Sequence, residues 1–228
     1  VQFHGRHFDG IAMYASNWTT LGPQQVQALR NMDRSRQERG RQLEQAGHGP
    51  QETPYTVILA ETGLQLRRYD PAATGGPAVL LVPAPIKRAY IWDLAPAISV
   101  VQRWQERGYR VYLAEWLPMP DGDPAVGLAD YGDRMLSSCQ RAIQADSGEA
   151  SLTVVGHSLG GILAAIYSAM HPEHVMATVL LESPLRFGHG ASCFAPLVKA
   201  TPDARQIADT FHHVPGAFLT MMSALAEP

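Results

Sequence analysis

Ser158 stands in the run Gly156-His157-Ser158-Leu159-Gly160-Gly161. A serine hydroxyl attacks a carbonyl well only when a base takes its proton and hydrogen-bond donors wait where the oxyanion forms. The G-x-S-x-G spacing addresses the second need. It is the form of a sharp strand-to-helix turn that holds the serine in a strained backbone, with room beside it only for residues lacking bulk. An apolar β-type run, residues 151–155, precedes it, and a small-residue helical run, 161–170, comes after it. In that context the Ser158 oxygen is expected above the sheet edge at a helix N-terminus, and the Leu159 N–H is expected to face the developing oxyanion. A chance glycine turn around a serine is the plainer alternative, and the flanking strand and helix weigh against it. His157 adjoins the serine, but its side chain should leave the turn in another direction, so it reads as a packing or supporting residue.

The elements that position this turn are readable on either side. Residues 55–60 and 64–69 are β-rich and separated by Glu61-Thr62-Gly63, which reads as a hairpin. Residues 78–82 form a short apolar run suited to a buried parallel strand. A helix is expected over 91–107, ending at Gly108, then a strand over 109–114. Asp130 is expected to cap a helix running to about Ala145, and residues 176–181 form one more strand after a helix closed by His171-Pro172. Strands alternating with helices imply a mostly parallel sheet covered on both faces. Residues 1–50 differ: a polar helical stretch opens at Gly22-Pro23 with a weak apolar stripe of Val26, Leu29 and Met32, which reads as a solvated extension. Gly47-His48-Gly49-Pro50 reads as a linker. Residues 183–228 lose the alternation, and 191–228 suit the start of a cap or lid. Three segments are therefore expected, 1–50, 51–190 and 191–228.

Composition narrows the function classes. A chain of 228 residues with formal net charge -3 has a globular composition and no basic surplus for nucleic acid. No apolar run approaches a membrane span. The first residues lack the charged and apolar regions of a secretory signal, which suggests the cytoplasm, and the absent initiator methionine suggests a fragment or processed form. Cys139 and Cys193 are too few for a disulfide framework and lack metal-ligand spacing, so each reads as a small hydrophobe. No cofactor or metal is expected.

The segments Leu80-Leu81-Val82-Pro83-Ala84-Pro85-Ile86-Lys87-Arg88-Ala89-Tyr90-Ile91-Trp92-Asp93-Leu94, Gly108-Tyr109-Arg110-Val111-Tyr112, Glu115-Trp116, Asp130-Tyr131, the elbow and Ser183-Pro184-Leu185 look like the α/β-hydrolase superfamily. Within it they resemble the polyhydroxyalkanoate synthase (PhaC) family over roughly residues 75–190. The resemblance implies a nucleophile at the elbow and acyl transfer on hydroxyacyl thioesters or polyesters. Three departures qualify it. The synthases usually carry cysteine where this chain has Ser158, and serine fits an esterase, thioesterase or depolymerase at least as well. The loop Pro83-Ala84-Pro85-Ile86 should supply the second oxyanion donor, but Pro85 has no N–H. Either Ala84 or Ile86 donates instead, or the hole is weak; Ile86 is the choice. In this fold the acid and histidine come after the nucleophile on two later strands, and no such strand is readable before Pro228. Glu182, ending the strand after the elbow helix, is a candidate acid or else a rim carboxylate. His189, His212 and His213 are leftover histidines that read as surface or cap residues.

The expected protein is thus a serine acyl-transfer enzyme acting on an acyl ester or acyl-CoA thioester, with hydrolysis leading. Hydroxyacyl transfer to a growing polyester is the first alternative. A truncated or non-catalytic member is the second, and these residues alone are then expected to turn over poorly. An unpaired apolar strand edge would favour self-association, so a homo-oligomer is a further expectation.

Overall fold

The computed structural model describes residues 22–69, 76–120, 126–186, 204–211 and 214–226. His189, His212, His213 and Cys193 lie outside them. They fall into two units: Pro50–Leu185, and the residues before and after it.

The larger unit is an α/β layer. Its six strands are β1 (Tyr55–Glu61), β2 (Leu64–Tyr69), β3 (Ala78–Val82), β4 (Arg110–Trp116), β5 (Leu152–His157) and β6 (Val175–Leu181). They lie in the order β1-β2-β4-β3-β5-β6. The expected hairpin joins β1 to β2, and β2 pairs antiparallel with β4. From β4 through β3 and β5 to β6 the sheet is parallel. The mostly parallel sheet is therefore as the sequence implied.

Parity along β3 explains its unbroken apolar run. Leu80 and Val82 face a cluster containing Met135, Leu136, Cys139, Leu163 and Tyr167, whereas Val79 and Leu81 face one containing Trp92 and Val101. Successive strand residues point to opposite faces, so a strand covered on both must be apolar throughout. The first cover is α3 (Met135–Ser147) with α4 (Leu159–Met170); the second is α2 (Val100–Gln105) with the short turn Ala89–Trp92. Cys139 is buried in the first layer, and burial pushes its thiol pKa up, so it is an inert hydrophobe there.

Two local expectations are corrected. The single helix over 91–107 is instead two short 3₁₀ turns, Ala89–Trp92 and Pro96–Ile98, and then α2. Pro96 starts a new turn because it cannot continue a helix. The fully buried Asp93 carboxylate also pulls its segment out of helical geometry. It accepts from the Thr53 N–H (2.6 Å), the Thr53 hydroxyl (3.0 Å) and the Ser99 hydroxyl (2.5 Å), while Ser99 caps α2 by accepting from the Gln102 N–H. Asp130, in turn, is not an N-cap. Its carboxylate accepts from the N–H of Gly127, three residues earlier, at 2.9 Å, so it plays the returning role of a capping box.

In the second unit, α1 (Pro23–Leu43) meets α5 (Ala204–Phe211) and α6 (Gly216–Ala226). Val26 and Leu29 pack with Phe211, Ala217 and Phe218, and the Asp33 carboxylate accepts from the N–H groups of Gly216 and Ala217 at the start of α6. The described parts of the two terminal segments thus share one small core. No described helix is long and apolar enough to cross a membrane.

Candidate active site

The chain leaves β3 toward β4 on one side of the sheet and returns to β5 on the other. The carboxyl ends of β3 and β5 therefore flank the point where strand order reverses, where open α/β sheets form their crevice. Both candidate segments arrive there: the loop of residues 83–88 leaves the end of β3, and Ser158 leaves the end of β5.

Ser158 has φ 54° and ψ -124°, a strained backbone for a residue with a side chain. Its surroundings enforce that geometry. The Ser158 N–H donates to the Leu181 carbonyl of β6 (2.9 Å), and the Ser158 carbonyl accepts from the Gly161 N–H (3.0 Å), so strand bonding ends and helix bonding begins within one residue. A Cβ on Gly156 would collide with the backbone of Gly160 and Gly161, and one on Gly160 would collide with Val82 and Pro83. The two glycines flanking the serine thus let α4 press onto β5 and onto the end of β3. Leu159 is the first residue of α4. Its N–H is among the four at a helix start that have no intrahelical acceptor, and the helix dipole favours negative charge there.

On the β3 side, the Lys87 N–H donates to the Ala84 carbonyl at 2.9 Å, closing a turn over Pro85 and Ile86. That turn does not use the Ile86 N–H. Ala84 is buried and Ile86 is exposed. The loop is pinned at its root, where Trp116 Nε1 donates to the Pro83 carbonyl at 2.7 Å.

His157 is directed away to pack edge-on against Trp92, ring centroids 6.4 Å apart, with Nδ1 buried and unbonded. Its Nε2 lies 3.5 Å from a Glu182 carboxylate oxygen. Glu182 comes directly after β6 and has a positive φ of 48°. Its side chain is 88% exposed. Ser158, Leu159, the Ile86 turn and Glu182 thus share one end of the sheet. Sequence reasoning missed the buried Asp93 clamp, which anchors the far end of the loop after β3. A lone carboxylate inside the apolar run Tyr90-Ile91-Trp92-Asp93-Leu94 was the available signal. The positive φ of Glu182 had no signal in sequence.

A family model described as alpha/beta hydrolase fold matches residues 77–217, more than half of the chain. This chain belongs to the α/β-hydrolase fold family. Within that family it resembles PhaC. It is 32% identical over 187 residues to the poly(3-hydroxyalkanoate) polymerase subunit PhaC of Haloarcula marismortui, a match covering 78% of this chain and 39% of that protein. It is 33% identical over 181 residues to the PhaC of Haloferax mediterranei, covering 77% and 36%. The chain thus spans well under half the length of these two relatives. Among solved structures, a carboxylesterase of the thaumarchaeon Nitrososphaera gargenis superposes with TM-score 0.43 at 18% identity, over 76% of this chain and 72% of that one.

Proposed function

We propose that this α/β-hydrolase chain carries the nucleophile of a serine acyl-transfer reaction on a hydroxyacyl or fatty acyl ester or thioester. The observation that carries the reading is Ser158 held at φ 54° between β5 and α4, at the reversal point of the sheet. In the proposed reaction the Ser158 oxygen attacks the acyl carbonyl while a base takes its proton. The carbonyl oxygen becomes an oxyanion facing the Leu159 N–H and a second donor, Ile86, from the loop after β3. Collapse of the tetrahedral intermediate expels the alcohol or thiol and leaves an acyl-serine. Glu182 is the candidate acid, with His157 Nε2 3.5 Å from it, whereas His171 pairs with Asp133 at the other end of α4.

The fate of the acyl-serine separates two readings. Attack by water gives hydrolysis, which the serine at the elbow favours. Attack by the hydroxyl of another hydroxyacyl unit gives polyester growth, which the likeness to PhaC polymerase subunits favours. The test supplies a 3-hydroxyacyl-CoA and monitors released CoA together with the acyl product. Free hydroxy acid supports hydrolysis, and chain-extended polyester supports transfer. No CoA release, with no acyl adduct on Ser158 by mass spectrometry, supports a non-catalytic member and overturns both.

A further inference from the structure

A separate cluster of titratable side chains lies at the other end of α4. The helix spans twelve residues from Leu159 to Met170, so this end is about 18 Å from the Ser158 turn. There the chain runs His171-Pro172-Glu173-His174, in which His171-Pro172 stops the helix. His171 Nδ1 lies 3.8 Å from a Glu173 carboxylate oxygen, and His174 Nδ1 lies 3.9 Å from the same oxygen. One ligand atom from each of the three residues falls within 4.8 Å of the others. The two imidazoles are near-parallel, with centroids 5.9 Å apart and planes 16° apart.

We propose that His171, Glu173 and His174 form a divalent transition-metal site, with Zn²⁺ the cation it suits best and water completing the coordination. Two imidazoles and one carboxylate are a ligand set that zinc accepts, whereas calcium and magnesium call for oxygen. The second nitrogen of His171 separates this cluster from a casual pair of surface histidines. His171 Nε2 lies 2.7 Å from an Asp133 carboxylate oxygen, on the turn preceding α3. A carboxylate there accepts a hydrogen bond from the Nε2–H and leaves the Nδ1 lone pair free for a metal, as the outer carboxylates of metal-bound histidines do. Asp133 also accepts from the Ser137 hydroxyl at 3.3 Å. The Tyr167 ring packs against the His171 ring, centroids 4.9 Å apart. The ring is thus oriented before any metal arrives, while the exposed Glu173 leaves a path for the ion.

Ligand atoms around a tetrahedral zinc stand about 3.3–3.5 Å apart, given metal–ligand bonds near 2.0–2.2 Å. Closing the two Glu173 contacts takes about 0.5 Å, within the reach of a Glu173 rotamer change, and the widest spacing, within 4.8 Å, closes by up to about 1.5 Å through rotation of the His174 ring. A metal here would stiffen the 171–174 segment between the end of α4 and the start of β6, while the Asp133 hydrogen bond links that segment to the turn before α3. Its distance from Ser158 gives it a structural role, not a part in acyl transfer.

The test is titration of the full chain with Zn²⁺, and with Co²⁺ read by its visible absorption. One equivalent should bind with a Kd of about 1 μM or tighter, and saturation should raise Tm. His174→Ala, at a half-buried position, should weaken binding by about 100-fold or more without changing the far-ultraviolet circular dichroism. Asp133→Asn, which touches no metal, should weaken it about 10–100-fold. Absence of binding at 100 times that Kd overturns the proposal. So does binding that His174→Ala and Glu173→Gln leave unchanged, since the ion would then sit elsewhere in the chain.

Discussion

The ends of β5 and β6 pose the same backbone problem and solve it differently. The strands are adjacent and parallel, with His157 in register with Leu181. Each leads at once into a non-glycine residue with positive φ, Ser158 at 54° and Glu182 at 48°. Around Ser158 the strain is enforced from every side: Gly156 and Gly160 admit α4 against β5 and β3, and the peptide is bonded to β6 behind and to α4 ahead. Around Glu182 little encloses the side chain. Its strand is exposed along much of its length, with Met176, Leu180 and Leu181 open where β3 is entirely covered. Strain persists where the surroundings over-determine it. The comparison therefore marks Ser158 as locked in its conformation and Glu182 as held only loosely in its own.

Mutations can break this comparison. The largest effect is expected on turnover: Ser158→Ala should lower ester or thioester cleavage on the order of a million-fold, because a nucleophile and its base act as one unit. Its thermal unfolding should stay at or slightly above that of the parent chain. Next comes the packing that enforces the turn. Gly160→Val places side-chain atoms where Val82 and Pro83 already are, and should cost about 3 kcal/mol or more of stability, measured by urea unfolding. The smallest effect separates the two strand ends. Glu182→Gly removes the penalty of positive φ and should stabilise by about 1 kcal/mol. If Glu182→Gly destabilises by as much as Gly160→Val, the end of β6 is locked as firmly as the end of β5 and the contrast is lost.

Legibility in the sequence tracks locality. The strands of the parallel sheet are readable because burial on both faces demands unbroken apolar runs, as in residues 78–82. The elbow is readable because close backbone approach demands glycine, so its spacing is written into the chain. The region 89–107 is not, because its conformation depends on Asp93 meeting Thr53, forty residues away in sequence. A hydrophobic run alone says helix there. The same holds for Asp133 and His171, brought together from separate elements 38 residues apart. Glu182 is legible only by its place at a strand end. The feature that sets it beside Ser158, its positive φ, comes from the backbone and has no residue type to betray it.

The central claim is that position 158 presents a side-chain nucleophile into the crevice at the positive end of α4. Ser158→Cys tests it directly, because a thiol reports exposure and local potential without needing a base. The rate of alkylation by iodoacetamide is measured against pH, with the modified peptide located by mass spectrometry. A helix N-terminus and nearby N–H donors should stabilise the thiolate, so the introduced thiol should titrate below the free value of about 8.5 and react fast at neutral pH. Buried Cys139 should stay unmodified in the same sample. An introduced thiol that titrates at or above the free value, or that reacts no faster than Cys139, would contradict the assignment of Ser158 as the nucleophile.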